Sequence, residues 1–179
     1  KRAQTGLVHG LAYTSVGGAT LDVEAIAIPG KGKVTFTGNM GDVMKESAQI
    51  AALTVRSLWT SEEEQKFFET HDIHLHIPEG AVPKDGPSAG ITMATAVYSA
   101  VTGQKVDGHV AMTGELSLLG RVLPIGGLRE KVVAAKAAGI KKIIVPKQNE
   151  KNIATLPEPV RRDMEFYYVD TLAQVLELV

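Results

Sequence analysis

The sequence predicts an α/β (α+β) fold, a single compact domain over residues 1–179 with small mixed sheets and interleaved helices. Three observations carry that prediction. Segments of helical and of strand periodicity alternate along the whole chain. No Ser/Gly-rich linker, internal repeat or low-complexity stretch divides them. With 44% apolar and 22% charged residues, the 179-residue chain has an average globular composition and can bury a sizeable core without staples.

The elements follow in order. Residues 6–28 read as two strands around a turn at Gly17-Gly18, because Leu21, Val23, Ala25 and Ala27 alternate with Asp22 and Glu24 after it. Pro29-Gly30-Lys31-Gly32 is a turn, and Val34 to Thr37 a short strand. Gly41 to Leu58 has amphipathic helical spacing, with Val43, Met44, Ile50, Ala51, Val55 and Leu58 facing inward. Ser61 before Glu62-Glu63-Glu64 signals the cap and first turn of a shorter helix, its acidic run solvated. Ile73 to Ile77 alternates strictly, as a strand does. Pro78 to Pro87 is a loop. Ser88 to Val101 reads as a buried helix that Gly103 ends, being apolar nearly all round. Val110 to Met112 is a strand, followed by Gly-punctuated segments to Gly127. Leu128 to Ala138 is a helix closed by Gly139. Ile143 to Val145 is a strand stopped by Pro146, Phe166 to Val169 the last strand, and Thr171 caps a final helix to Leu178.

Composition narrows the function. Nineteen basic against 20 acidic residues give a net charge of −1, which speaks against nucleic acid as a partner of this domain. The absence of cysteine excludes disulfides, thiol catalysis and cysteine-ligated metals. Aromatic residues at 5% are too few for stacking platforms. No apolar run approaches the roughly 18 residues that a membrane crossing needs, and no signal peptide is visible. The chain opens Lys1-Arg2-Ala3, without methionine, and this predicts a piece excised from a longer protein.

The most informative stretch is Pro83-Lys84-Asp85-Gly86-Pro87-Ser88-Ala89-Gly90. A proline-stiffened loop delivers a serine to the start of a buried helix. There its Oγ can be exposed while free amides bind an oxyanion. Pro87 has no N–H, so the donors would be Ser88 itself and other loop amides. The same stretch is compatible with Ser88 or Asp85 acting only as a helix cap. Gly86 to Gly90 also fits G-x-S-x-G, but that elbow needs a strand directly before the serine and a histidine well after it. Here a Pro-rich loop precedes, and His109 is the last histidine in the chain. S-x-x-K fails too, since Ile91 occupies its fourth position.

A lysine is the remaining way to activate the serine. At about 100° per residue, Lys131 falls beside Leu128, Ala135 and Ala138, with Glu130 pointing away. Such a lysine either snorkels to water or is desolvated, and desolvation lowers its pKa. At an ordinary pKa of about 10.4, only about one lysine in 2,500 is neutral at pH 7. A useful base near 7–8 needs a shift of roughly 3 units, about 4 kcal/mol. Lys84 is nearer in sequence and stays open as an alternative.

Two further constellations invite a binding role. His74-Leu75-His76 puts two imidazoles on one face of a strand, with Asp72 on the same side. Without a clear third ligand, hydrogen bonding near the serine loop fits them better than zinc. Pro29-Gly30-Lys31-Gly32-Lys33 suggests a phosphate turn but lacks G-x-x-x-x-G-K-[ST], which occurs nowhere in the chain.

Pro83 to Gly90, with Glu79-Gly80 before it, resembles the active-site signature of the Lon protease family, the bacterial and mitochondrial type most closely. Met112-Thr113-Gly114-Glu115 and Gly120 to Lys131 resemble the rest of that signature. The similarity runs through essentially the whole chain, including Pro29 to Gly32 and Gly38 to Ser47. The resemblance implies a Lon proteolytic domain-like fold, with Ser88 as nucleophile and Lys131 as general base of a Ser-Lys endopeptidase. It implies that Thr113 orients the lysine and that Asp85 and Gly86 belong to the loop shaping the oxyanion site. His74, His76 and Glu79 become supporting candidates. Ser88 Oγ and Lys131 Nζ are then expected within or close to hydrogen-bond reach.

The resemblance further implies a parent protein with an ATPase module and a substrate-binding region, using ATP and Mg there. No cofactor or metal is expected in this domain. The parent would be a homo-oligomer, a hexamer, acting on unfolded, damaged or short-lived regulatory polypeptides. It would work in the bacterial cytoplasm, or alternatively the mitochondrial matrix. A non-catalytic peptide-binding or assembly module of the same fold is the competing reading, and a small-molecule serine hydrolase a third.

Overall fold

The computed structural model describes residues 3–179, so the Lys1-Arg2 start lies outside the described residues. Its strands are β1 (Leu7–Thr14), β2 (Gly17–Pro29), β3 (Val34–Thr37), β4 (His71–His76), β5 (Val110–Met112), β6 (Glu115–Leu116), β7 (Val122–Leu123), β8 (Lys142–Pro146) and β9 (Glu165–Val169). The helices are α1 (Asp42–Leu58), α2 (Glu62–Thr70), α3 (Gly90–Thr102), α4 (Leu128–Ala137), α5 (Glu150–Ala154), α6 (Glu158–Arg161) and α7 (Leu172–Glu177). A single 3-10 turn, Lys147–Asn149, precedes α5.

The sheets are mixed, as expected, but unequal. One has seven strands in the order β3-β4-β2-β1-β5-β8-β9, and β6-β7 is a small hairpin beside it. β1 pairs antiparallel with β2 and parallel with β5, and β5, β8 and β9 run parallel. Alternation along β5 sends Val110 and Met112 into one core cluster and Ala111 into the other. The first cluster lies under α1, α3 and α7, the second under α4, α5 and α6. Helices therefore cover both faces at β5 and β8, whereas the outer face of β3-β4 carries polar side chains, exposed on β3 and half-buried on β4.

Several local details depart from the sequence reading. The β1–β2 turn is Ser15-Val16, with Gly17 and Gly18 already in β2. Thr14 fixes it by donating Oγ1–H to the Gly17 carbonyl and accepting the Val16 N–H. On α1, Val43 and Leu58 are exposed, while Ser47, Ala48, Ala52 and Thr54 are buried with Met44, Ala51 and Val55. The apolar stripe is thus set by small residues that let α1 approach α3. Helix α3 begins at Gly90, not Ser88, and has no side-chain cap. Its neighbours α2 and α7 have the expected caps, capping boxes at Ser61/Glu64 and Thr171/Gln174. Hairpin β6–β7 and helices α5 and α6 were not foreseen, because elements of two to five residues are too short to show a period.

Candidate active site

The loop from Pro78 to Pro87 is pinned to the start of α1. Lys84 pairs with the chain before α1, donating N–H to the Asn39 carbonyl (3.0 Å) and accepting from Gly41 N–H (2.7 Å). Its Nζ donates to the carbonyls of Gly38 (2.9 Å), Glu79 (2.6 Å) and Val82 (2.8 Å). All three ammonium protons are engaged, so Lys84 is a clamp and not a base. Glu79 serves that clamp with its carbonyl; its backbone is left-handed (φ 68°) and its side chain exposed.

Asp85 does cap a helix, but the helix is α1. Its Oδ1 accepts the Met44 N–H at 2.9 Å. Gly41, the N-cap position of α1, offers no side chain, and a Cβ there would lie 2.4 Å from the Asp85 carboxyl carbon. The amides of Met44, then Gly86, then Val43 hold the Asp85 carboxyl below the usual carboxylate range. Gly86 has φ 105°, a backbone that favours glycine.

Ser88 follows as a half-buried residue in the turn before α3. Its carbonyl accepts the Gly114 N–H (2.9 Å), and Ile91 N–H donates to the Gly114 carbonyl (3.1 Å). Gly90 N–H is used by the Pro87 carbonyl (3.2 Å). Among the described residues, this leaves the N–H groups of Ser88 and Ala89 as the donors of the turn without a hydrogen bond.

Lys131 is only 2% exposed on α4, so it does not snorkel. Desolvation by burial lowers its pKa to about 8. Nζ donates to Thr113 Oγ1 at 3.0 Å, and Thr113 is fully buried just after β5. Thr113 is tied to β8 through its N–H to the Ile144 carbonyl (3.1 Å). The two-residue step Thr113-Gly114 therefore touches both Lys131 and Ser88. It leaves the carboxyl end of a parallel strand whose flanking helices α3 and α4 lie on opposite faces, the place where open α/β sheets form crevices.

A cavity of about 370 Å³ opens there, with Asp85, Gly86 and Ser88 of the loop, Lys131 of α4, Tyr13 and Ile125 among its lining residues. No hydrogen bond joins Ser88 Oγ to Lys131 Nζ; the lysine faces Thr113 instead.

His74 and His76 do not line this cavity. They sit on the outer face of β4, where parallel pairing with β3 sets Thr35 beside His74 and Thr37 beside His76. His74 bonds both threonine hydroxyls (2.6 and 2.8 Å), and His76 bonds Thr37 (2.7 Å). Asp72, on the same face, accepts the N–H groups of Lys31, Gly32 and Lys33 (2.9, 3.1 and 2.8 Å). The amides of Lys33 and Lys31 hold its carboxyl below the ordinary value. The would-be phosphate turn is thus filled by the protein's own carboxylate.

Two contributors escaped the sequence reading. Gly18 lets α4 approach β2, since a Cβ there would stand 2.0 Å from the Glu130 carbonyl oxygen. Asn149 is buried behind the cavity wall and bonds the Ile125 backbone. The available signal for it was an asparagine three residues after the strand-ending Pro146.

A half-buried serine and a buried, deprotonatable lysine on one cavity form the type of site that serine hydrolases with a lysine base use. The chain belongs to the Lon protease (S16) C-terminal proteolytic domain family, whose family model matches residues 1–179. It is 58% identical over 177 residues to Lon protease 1 of Bacillus subtilis (strain 168), covering 97% of this chain and 23% of that protein. It is 54% identical over 178 residues to the Lon protease of Lachnoclostridium phytofermentans, covering 99% of this chain and 22% of that protein. With Lon protease 1 of Thermus thermophilus the identity is 51% over 183 residues, covering 100% and 23%. The chain thus spans less than a quarter of the length of these relatives. Among the described residues, no helix is long and apolar enough to cross a membrane.

Proposed function

We propose that this domain cleaves polypeptides with a Ser88–Lys131 dyad, as the proteolytic part of an ATP-dependent protease. The observation that carries the reading is the burial of Lys131 on the cavity that Ser88 lines. At a pKa of about 8, about one lysine in ten is neutral at pH 7, several hundredfold more than in water.

Neutral Lys131 Nζ takes the Ser88 proton as Oγ attacks the scissile carbonyl carbon. Contact between the two needs a movement of the lysine tip or the serine turn, of the kind that substrate brings about. Ser88 and Ala89 N–H groups receive the oxyanion. Lys131 then gives the proton to the leaving amine, the C–N bond breaks, and an acyl-Ser88 ester remains. Water attacks the ester, losing a proton to Lys131, and the acid product leaves as Ser88 regains its hydrogen. Thr113 accepts a hydrogen bond from Nζ and so holds the lysine on station.

The parent would be a homo-hexamer acting on unfolded, damaged or short-lived regulatory proteins, in the bacterial cytoplasm or, as the alternative, the mitochondrial matrix. ATP and Mg belong to its other regions. The Gly30–Lys33 turn does not suit a nucleotide phosphate, because Asp72 already occupies its amides. The test is cleavage of an unstructured peptide by the full-length protein and its Ser88→Ala and Lys131→Ala variants. Both should lose at least about a thousandfold in kcat with the fold intact by circular dichroism. Cleavage persisting in either sinks the dyad and returns the domain to a peptide-binding or assembly role.

A further inference from the structure

Part of the cavity wall is irregular backbone, Pro124-Ile125-Gly126, between β7 and α4. Such a segment has no ladder to hold it, yet substrate has to press against it. One side chain holds it. Asn149 Oδ1 accepts the Ile125 N–H (3.0 Å), and Asn149 Nδ2 donates to the Ile125 carbonyl (2.9 Å). A side-chain amide here does what a paired strand residue would do, binding the donor and the acceptor of one residue together. The same Nδ2 donates to Asn152 Oδ1 (2.9 Å), which fixes the amide's orientation. Asn149 is 3% exposed and does not itself line the cavity. The Ile125 side chain packs on the second core cluster, so side chain and backbone are anchored by different groups.

We infer that Asn149 is a positioning residue for substrate: by saturating the Ile125 backbone it keeps the 124–126 wall at the spacing an extended peptide needs. This rests on the proposed peptidase reading. An unsupported wall must be ordered by each substrate on binding, and that ordering penalty appears in KM. The Lys131–Thr113 contact lies outside the clamp, so the chemical step and its pH dependence are spared.

The experiment measures steady-state cleavage of an unstructured peptide by the full-length protein as wild type, Asn149→Ala, Asn149→Asp and Asn152→Ala, across pH 6–10. Asn149→Asp keeps shape and the acceptor for Ile125 N–H, but turns the donor into a charged oxygen facing the Ile125 carbonyl and Asn152 Oδ1. Expected is a rise in KM of about tenfold for Asn149→Ala and at least as large a rise for Asn149→Asp, with kcat kept in both and the pH profile kept in Asn149→Ala. Asn152→Ala, which removes only the acceptor that orients the amide, should raise KM less than Asn149→Ala does. A partly unfolded variant would lower apparent kcat at unchanged KM, so KM separates positioning from mere stability. Unchanged KM in Asn149→Ala or Asn149→Asp, or a moved pH profile in Asn149→Ala, overturns the inference even where Ser88→Ala abolishes cleavage. Cleavage undiminished in Ser88→Ala would instead overturn the peptidase reading.

Discussion

Lys131 is where the physics is most concentrated. Its proton is held up to about pH 10.5 when unfolded but only to about 8 in the fold. Between those values the unfolded chain binds more protons, so stability rises with pH across that window; below 8 both states are charged and the penalty is full. The shift corresponds to about 3 kcal/mol, against about 1 kcal/mol for the Thr113 bond that a substitution would remove. Lys131→Met should therefore be about 2 kcal/mol more stable than wild type at pH 7 while inactive. Urea denaturation at pH 7 and pH 10 checks this, and the gain should vanish at the higher value. At this scale the sequence was informative about chemistry and weak about partners. Helical spacing put Lys131 on the apolar side of α4, but could not choose between snorkelling and burial. That choice depends on α4 lying against β2. His74 was just as visible, yet its partners are the two threonines of β3, which only the parallel pairing brings near.

At the scale of elements, α4 is the one whose placement matters most, and Gly18 governs it. An added methyl group would meet the Glu130 carbonyl oxygen at 2.0 Å, and backbone there cannot swing aside as a flexible side chain would. Gly18→Ala should cost about 1–3 kcal/mol through overpacking and lower kcat by displacing Lys131, more than it changes KM. Denaturation and steady-state kinetics together test both halves of that expectation. The long α1 was legible because its period is sustained, and it begins one residue after Gly41; the short β3 and β5 match residue for residue because β-branched and apolar residues stand between turn residues. The hairpin β6–β7 was not, though it closes the site against Ser88. Two-residue strands carry no alternation, and their pairing depends on contacts from the rest of the domain.

For the whole molecule, two carboxylates stitch distant segments without burying themselves. Asp72 gathers the amides of the 31–33 turn onto β4, and Asp85 fastens the serine loop to α1. Both titrate below the ordinary 3.8, so their stabilisation is complete above that value and drains as pH falls through the lower folded values. The double variant Asp72→Asn/Asp85→Asn should melt below the wild type at pH 7, with the gap closing under about pH 4. Thermal melts across pH 2–7 would show it. The fold class was legible, but not the single large sheet, because strand order arises from pairings that no local pattern encodes. One further consequence follows from Thr113-Gly114, which joins a helix on one face of the sheet to a turn on the other. Serine and lysine are both held by neighbouring residues of one strand exit, so a fluctuation that loosens β5 from β8 would slacken both holds together. A disturbance of β5 would then lower activity through nucleophile and base alike, though neither residue belongs to that strand.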